Sequence, residues 1–213
     1  MKQQRLDGLA DGIFAIVMTL LTFDLRLVNV ASPATDDSVW QAIVALAPTF
    51  ISFILSFALL FTYWRAHHFL ASVYAKTLTV GLANYNGVFF LFITLVPFTA
   101  RLLGEYGNTH VAIIVYGLNV ICIGFALFLM RYHIETNQGI ETTPITKADK
   151  RSGYIRILFP VFSAIVAIAL SFWDTTISMV LFTIAILFNI LPASTNIIHN
   201  WLDRMFADDG EFV

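Results

Sequence analysis

The opening segment of the chain carries a stripe of side chains whose spacing suits control of an ion. Ile16, Leu20 and Phe23 fall at i, i+4 and i+7, with Thr19 beside them, so on a helix they share one face. If copies of this helix surround an axis, the apolar rings can close a pore by dewetting and the threonine oxygens can meet a partly dehydrated cation. Asp24 would add a ring of carboxylates at the outer mouth. The same stripe is also typical of helix packing or lipid contact, so periodicity leaves both readings open.

Two charges near the start of this segment need partners on other elements. Arg5 and Asp11 are six residues apart, so they do not meet on one helix face. An unpaired charge at membrane depth is costly, and the second helix offers Trp64 and His67 while the third opens with Asn84-Tyr85-Asn86. The alternative is that the Trp and Arg at the end of helix two anchor it at the membrane interface.

Other groups of residues in the sequence give little evidence for a functional site. Adjacent His67 and His68 point about 100° apart on a helix and have no ligand partner one turn away, so no metal site is predicted. Thr79-Val80-Gly81 begins like a potassium-filter loop, but Leu82 and Ala83 follow, so a carbonyl filter is not predicted. The sequence contains no nucleophile-elbow, zincin or P-loop motif, so we expect no enzyme activity and no cofactor.

The amino-acid composition indicates what kind of protein must position these residues. The 213 residues are 58% hydrophobic and 12% charged, with mean hydropathy +0.79. So few charges cannot coat a water-soluble surface, which excludes an ordinary soluble enzyme and a disordered chain. A net charge of -2 gives no basic face for nucleic acid, and the single cysteine, Cys122, excludes an intrachain disulfide. The chain is predicted to be an all-α, multi-pass protein of the cell membrane.

Stretches free of charge predict five transmembrane helices, because a span needs about 20 apolar residues. A sixth, at the start of the chain, has only 12 uncharged residues between Asp11 and Asp24 but is long enough to span if its apolar character is followed to Val28, and all six belong to one domain, residues 1–213. The first is the most polar, with Asp7, Asp11, Asp24 and Arg26 near its ends, and such a helix is expected to be shielded from lipid. A cleaved signal peptide is the competing reading, but Asp7 and Asp11 interrupt its basic start. The predicted spans are 7–28, 38–65, 77–101, 109–131, 154–173 and 175–197.

The distribution of Lys and Arg predicts that both termini are cytoplasmic. With the N-terminus inside, Arg26 and Arg101 fall outside, and the other basic side chains fall inside. The connection at about 136–151 is then a polar, basic cytoplasmic loop. We find no internal repeat, linker or second module in the sequence.

The first helix resembles the signature of the transmembrane protein 175 family, R-x-x-x-F-S-D followed by an apolar stretch. Arg5 and Asp11 match, and so do Gly12, Phe14-Ala15-Ile16 and Thr19-Leu20-Leu21. Leu9 and Ala10 replace the family's Phe and Ser, while Trp64-x-x-His67 in helix two is similar to the family's W-x-x-H.

The resemblance implies a potassium-permeable channel, assembled as a homotetramer of single six-helix repeats without a carbonyl filter, with helix one lining the pore and K⁺ permeating. It implies pore positions at Ile16, Thr19, Leu20 and Phe23. It also implies a hydrogen-bond network of Arg5, Asp11, His67 and Trp64, from which Ala10 removes the family's serine.

The residues alone are compatible with two other functions. A proton-coupled secondary transporter could use Asp11 or His67 as a relay, although such transporters usually show inverted repeats and broken helices. A non-transporting scaffold or assembly subunit would bind a partner and conduct nothing.

Overall fold

The chain folds into a bundle of helices, which confirms the all-α prediction. The computed structural model describes residues 3–27 and 32–191. In that part of the chain the extended pairing is limited to one isolated bridge between Ala75 and Thr142. A 3-10 turn over Leu21–Asp24 continues the first helix, and a π-helical segment over Phe69–Tyr74 continues the third. The helices are α1 (Gln3–Leu20), α2 (Asp36–Ala45), α3 (Ala47–His68), α4 (Val80–Thr94), α5 (Val96–Tyr106), α6 (His110–Thr136), α7 (Lys147–Ser171) and α8 (Thr175–Ile190).

Two prolines divide stretches that the sequence predicted to be single spans. Pro48 lies at the start of α3, directly after α2, and Pro97 lies at the start of α5, directly after α4. Proline has no N–H to donate to the preceding turn and its ring crowds the carbonyl there, so a new helix begins at each position. Pro160, by contrast, lies inside α7, which continues through it.

Five helical segments of the described chain are long and apolar enough to cross a membrane, and they overlap the first five predicted spans. The second candidate segment is Ala47–Tyr74, whereas 38–65 was predicted, because a new helix begins at Ala47 and the helical segment continues past Arg65. The sixth helix is described over Thr175–Ile190, and residues 192–197 of its predicted span lie outside the described residues. The other four segments are Arg5–Asp24, Val80–Tyr106, His110–Thr136 and Asp149–Ser171.

Side-chain caps fix where the later helices begin. The hydroxyl oxygens of Thr79, Thr109 and Thr146 accept from backbone N–H groups three residues on, at the starts of α4, α6 and α7. Asp174 does the same for α8, its Oδ1 lying 2.9 Å from the amide nitrogen of Ile177. Only the short turn around Asp174 separates α7 from α8, so these two helices form a hairpin.

The centre of the bundle is α6, which packs against α4, α5 and α7. Large aromatic side chains fill the space beside it, and their polar ends are satisfied inside the protein: Tyr63 donates to the carbonyl of Val120 at 3.2 Å, and the hydroxyl of Tyr116 lies 3.1 Å from that of Ser56. Helix α1 lies at the margin of this bundle and packs against α3, α4 and α5.

Candidate functional site

Helix α1 is attached to the bundle by one apolar face. Leu6, Ala10, Phe14, Val17 and Leu21 recur at helical spacing, and all five are buried. The ring of Phe14 lies 6.0 Å from that of Phe89 on α4 and 6.4 Å from that of His67 on α3, measured between centroids. The packed face therefore fixes which residues of α1 point away from the protein.

The residues predicted to line a pore lie on the opposite, exposed face. Ile16 is 60% exposed and Phe23 is 73% exposed, with Thr19 between them. Leu20 is 41% exposed, since it stands next to the buried Leu21 at the edge of this face. The structure thus places all four on the protomer surface, with Ile16, Thr19 and Phe23 nearer its middle than Leu20.

The hydroxyl of Thr19 is held against the backbone of its own helix. Its Oγ1 lies 2.8 Å from the carbonyl oxygen of Ile16 and 3.0 Å from that of Ala15. A hydroxyl has one proton to donate and two lone pairs. Giving the proton to the backbone leaves the lone pairs of Oγ1 to act as acceptors on the exposed face, as a cation requires.

At the far end of α1, Asp24 faces a cationic side chain. Its Oδ1 lies 3.9 Å from Nε of Arg101 on α5, and the same Nε bonds Oε1 of Glu105 at 2.9 Å. The predicted outer-mouth carboxylate is thus one of two acids that share one arginine, so the three side chains keep one net negative charge at this end.

Two acidic side chains tie α1 to the α3 segment. Nε1 of Trp64 donates to Oδ1 of Asp11 at 3.0 Å. One turn nearer the N-terminus, Oγ of Ser72 donates to Oδ1 of Asp7 at 2.9 Å. Sequence reasoning did not single out Ser72, because it stands outside the recognised motif and its position opposite Asp7 depends on the π-helical turn that carries it.

His67 is buried and has a different partner from Asp11. Its Nε2 lies 2.5 Å from Oδ1 of Asn86 on α4, and its ring stacks on Phe89 with 5.1 Å between centroids. Nδ2 of Asn86 donates to the carbonyl of Leu82, which leaves Oδ1 as an acceptor and makes Nε2 of His67 the donor. This pair joins α3 to α4 just behind the packed face of α1.

The four predicted network residues therefore do not form one connected cluster. Asp11 and Trp64 are bonded, and His67 belongs to a neighbouring pair with Asn86. Arg5 is exposed, and within the described residues its side chain makes no hydrogen bond or ion pair. Ala10, which replaces the family's serine, is buried in the packed face and Leu9 is exposed.

The segment that begins like a potassium-filter loop is the start of a helix. Thr79 caps α4, and its carbonyl accepts from the amide of Ala83 at 3.0 Å. Gly81 lies inside that helix, where backbone carbonyls bond along the helix axis rather than facing a pore.

These helices define a multi-pass integral membrane protein whose first helix has one packed and one open face. The family described as "Endosomal/lysosomal potassium channel TMEM175" matches residues 5–97. The first part of the chain is thus similar to the TMEM175 family, which is a family of ion channels and not of enzymes.

Two relatives are similar over most of the chain, and a third is similar over less than half of it. A potassium channel of Chamaesiphon minutus is 28% identical over 188 residues, which cover 86% of this chain and 92% of the relative. A potassium channel of a Chryseobacterium species is 26% identical over 90% of this chain and 94% of the relative. The mouse endosomal/lysosomal proton channel TMEM175 is 34% identical, over 43% of this chain and 19% of the relative.

The fold is also that of a solved structure. The crystal structure of a lysosomal potassium-selective channel TMEM175 homolog from Chamaesiphon minutus superposes with a TM-score of 0.73 at 24% identity. The match covers 88% of this chain and 95% of that one.

Proposed function

We propose that this chain forms a homotetrameric cation channel that prefers potassium to sodium, with four copies of α1 around a central pore. The match of residues 5–97 to the TMEM175 family supports the channel class, and the relatives matched over nearly their whole length are named potassium channels. Potassium is the permeant ion of the proposal, and no resident cofactor is part of it.

The observation that carries the proposal is the asymmetry of α1. One face is packed against α3, α4 and α5, while the other is open on the single chain. The open face bears Gly8, Gly12 and Thr19 together with the apolar Ile16, Leu20 and Phe23. Small and hydroxyl-bearing residues gain little from contact with acyl chains, whereas small residues allow helices to approach closely. A face of this composition suits a helix that meets its own copies and water.

The pore would work through stacked rings of side chains. Ile16 and Leu20 would form apolar constrictions that exclude water when narrow, and Thr19 would offer its oxygen lone pairs to a passing cation. Phe23 would narrow the outer part of the path, and Asp24 would attract cations to the outer mouth. The selectivity of such a pore would arise from side-chain rings rather than from a carbonyl filter.

The polar pairs behind α1 would hold it in its conducting position. Asp11 and Trp64 fix the helix to α3, and His67 and Asn86 fix α3 to α4. Arg5 stands at the cytoplasmic end of the open face, where it would meet a neighbouring subunit. A change in the Asp11–Trp64 contact would move α1 and thereby the Ile16 ring.

The proposed orientation has both termini in the cytoplasm. Arg65, Arg131 and Arg156 lie at one end of the bundle, around a common cavity, and Arg101 lies beside Asp24 at the other end. An excess of Lys and Arg marks the cytoplasmic side of membrane proteins.

The decisive experiment measures potassium flux in proteoliposomes for Ile16→Asn and for the matched control Ile165→Asn. Both isoleucines are exposed on the single chain, at 60% and 51%, on α1 and α7. We expect Ile16→Asn to raise flux, because a polar ring wets the constriction, and Ile165→Asn to leave it unchanged.

Equal flux for wild type and Ile16→Asn, with the protein folded and reconstituted, would contradict the proposal. Flux that saturates and requires a proton gradient would favour a proton-coupled transporter using Asp11 or His67. A folded chain without any conductance would favour a scaffold.

A further inference from the structure

The π-helical segment Phe69–Tyr74 places Ser72 on the side of the α3 segment that faces α1. Ser72 stands eight residues beyond Trp64, so on a straight α-helix its side chain would point about 80° away from that of Trp64. A π-helical turn holds more residues than an α-helical turn, as the hydrogen bond from the amide of Ala75 to the carbonyl of Leu70 shows. Each residue of the segment therefore rotates by a smaller angle, which brings Ser72 back toward the face on which Trp64 reaches α1.

The bond from Ser72 reaches α1 on the side opposite its exposed face. Oγ of Ser72 donates to Oδ1 of Asp7 at 2.9 Å, and Asp7 is partly buried. Asp7 stands nine residues before Ile16, which on an α-helix is about 14 Å along the axis and about half a turn around it. Asp7 therefore faces the bundle where Ile16 faces away from it. Because Gln3–Leu20 is one unbroken helix, a shift at Asp7 is passed on to Ile16.

The end of the α3 segment, just beyond Ser72, is paired with the connection between α6 and α7. Residues 74–76 and 141–143 run antiparallel and share two backbone hydrogen bonds, at 2.8 and 2.9 Å, and we call this pairing the loop bridge. The hydroxyl of Thr143 also donates to the carbonyl of Val73 at 2.8 Å. The last carbonyls of a helix have no partner within it, so the connection supplies donors that this helix end needs.

The connection that carries the loop bridge is itself fixed to α6 and α7. At its start, Glu135 in the last turn of α6 accepts from the hydroxyl of Tyr154 on α7 at 2.9 Å and pairs with Nζ of Lys150 at 2.9 Å. Within the connection Ile140 is buried, and at its end Thr146 caps α7. The loop bridge therefore joins the α3 segment to a well-anchored part of the bundle.

We propose that Ser72 is a positioning residue of the channel: it holds the N-terminal half of α1 in place relative to α6 and α7, through the loop bridge, and thereby sets the width of the Ile16 ring. This inference rests on the proposed pore. The bond from Ser72 to Asp7 lies on the side of α1 opposite the open face, so it draws the helix away from the pore axis. Without that bond α1 keeps its apolar packing, but its N-terminal half relaxes toward the axis and the ring narrows.

The test measures potassium flux in proteoliposomes for Ser72→Ala, made in the wild-type chain and in the Ile16→Asn variant. In the wild-type chain we expect flux to fall about fivefold, the factor by which one hydrogen bond biases an equilibrium between two positions of α1. In Ile16→Asn we expect a change of no more than about twofold, because a ring of polar side chains stays wet at either position. Ser72→Thr keeps the hydroxyl and should conduct as wild type does.

Ser163→Ala is the matched control. Both serines lie in segments long and apolar enough to cross a membrane, but Oγ of Ser163 donates to the carbonyl of Phe159 within α7, at 2.8 Å. We expect Ser163→Ala to leave flux unchanged in both backgrounds. A variant that merely folds less well supplies fewer channels and lowers flux by the same factor in each background, whereas a change in the position of α1 acts through the Ile16 ring.

A second variant tests the loop bridge. Thr143→Val removes the hydroxyl that donates to the carbonyl of Val73 and keeps the shape of the side chain. We expect flux to fall by only about twofold, because the backbone hydrogen bonds of the loop bridge remain. The fall should disappear in combination with Ser72→Ala, since the loop bridge then no longer acts on Asp7.

The inference is overturned if Ser72→Ala conducts as wild type does, or if it lowers flux by the same factor with and without Ile16→Asn. The role of the loop bridge is wrong if Thr143→Val changes nothing, or if it acts equally with and without Ser72→Ala. If Ile16→Asn itself fails to raise flux, the proposed pore is wrong and this inference falls with it. A flux that Ile16→Asn raises and Ser72→Ala leaves unchanged in the wild-type chain overturns the inference alone.

Discussion

Helices α1 and α7 lie at different margins of the bundle, and the same share of each is exposed. The types of residue that they expose are not the same. In each, 28% of the apolar segment is buried in the single chain. α7 exposes large apolar side chains, among them Phe162 and Ile165, whereas α1 exposes Gly12 and Thr19 beside the large apolar Leu9 and Ile16. Lipid is a good solvent for the large apolar side chains, but it offers nothing specific to the glycine and threonine that α1 alone adds to them.

The inner sides of the two helices differ as well. α7 packs closely along α6 and α8, with Ala164 and Ala167 buried against them. α1 makes fewer contacts, and two of its acidic side chains bond polar groups of the α3 segment. The comparison teaches that exposure alone does not identify a lipid-facing helix, since the chemistry of the open face and the way the helix is held separate the two.

We expect the largest change in potassium flux from a bulky residue at the centre of the open face of α1, and this variant tests whether α1 and α7 differ in function. A side chain at Gly12 meets nothing within 4 Å in the single chain, so Gly12→Leu should fold. In the proposed tetramer four leucines would stand one turn below the Ile16 ring and obstruct the path. We expect potassium flux in proteoliposomes to fall to the background of empty liposomes.

The matched substitution on α7 is Ala169→Leu, which adds a leucine to an exposed position of the lipid-facing candidate. We expect its flux to equal that of wild type. If both variants conduct normally, α1 does not line the path, and the contrast between the two helices has no functional meaning.

A second, smaller effect concerns how tightly α7 is packed. A methyl group at Gly153 would meet Nη1 of Arg131, which is held by Glu135, Lys150 and Tyr154 and cannot move aside. Gly153→Ala should lower the free energy of unfolding by about 1–3 kcal/mol, the usual cost of overpacking a rigid core. Chemical denaturation in detergent micelles measures it.

Gly12→Ala on α1 is the control, because a methyl group at Gly12 meets nothing within 4 Å in the single chain. Alanine is a better helix former than glycine by about 1 kcal/mol, so this variant should be as stable as wild type or slightly more stable. A Gly153→Ala protein as stable as Gly12→Ala would show that Arg131 is free to shift.

Much of the fold could be predicted from the sequence because a membrane imposes a simple rule on it. Charge-free stretches of sufficient length indicated the helices, and the spacing of Leu6, Ala10, Phe14 and Val17 is one that buries a single helix face. The ends of the helices were less well predicted. Charges were taken as boundaries, but Arg131 lies inside α6, because its ion pair with Glu135 one turn on satisfies it there.

The effect of proline and the pairing of polar groups could not be predicted from the sequence. Pro48 and Pro97 each lie at the second position of a new helix, whereas Pro160 lies inside α7, and residue type alone does not separate the two cases. Likewise Asp7 and Ser72 are far apart in sequence, and their contact arises from the packing of α1 on the α3 segment. Residue types limited the candidates, and tertiary structure chose among them.

The smallest expected effect tests how α1 is held. Trp64→Phe removes the indole N–H that donates to Asp11 while keeping an aromatic ring beside Phe61 and His68. Since Asp11 is exposed and water can replace the donor, we expect a loss of about 1 kcal/mol in the free energy of unfolding. The same denaturation experiment in micelles measures it.

Trp40→Phe is the matched control, because Trp40 is 66% exposed on α2 and the same ring contraction there should change stability less. If the two variants are equally stable, the Asp11–Trp64 bond does not contribute to holding α1. The packed face of Leu6, Ala10 and Phe14 would then hold the helix alone, and α1 and α7 would differ in the chemistry of their open faces but not in the way they are attached.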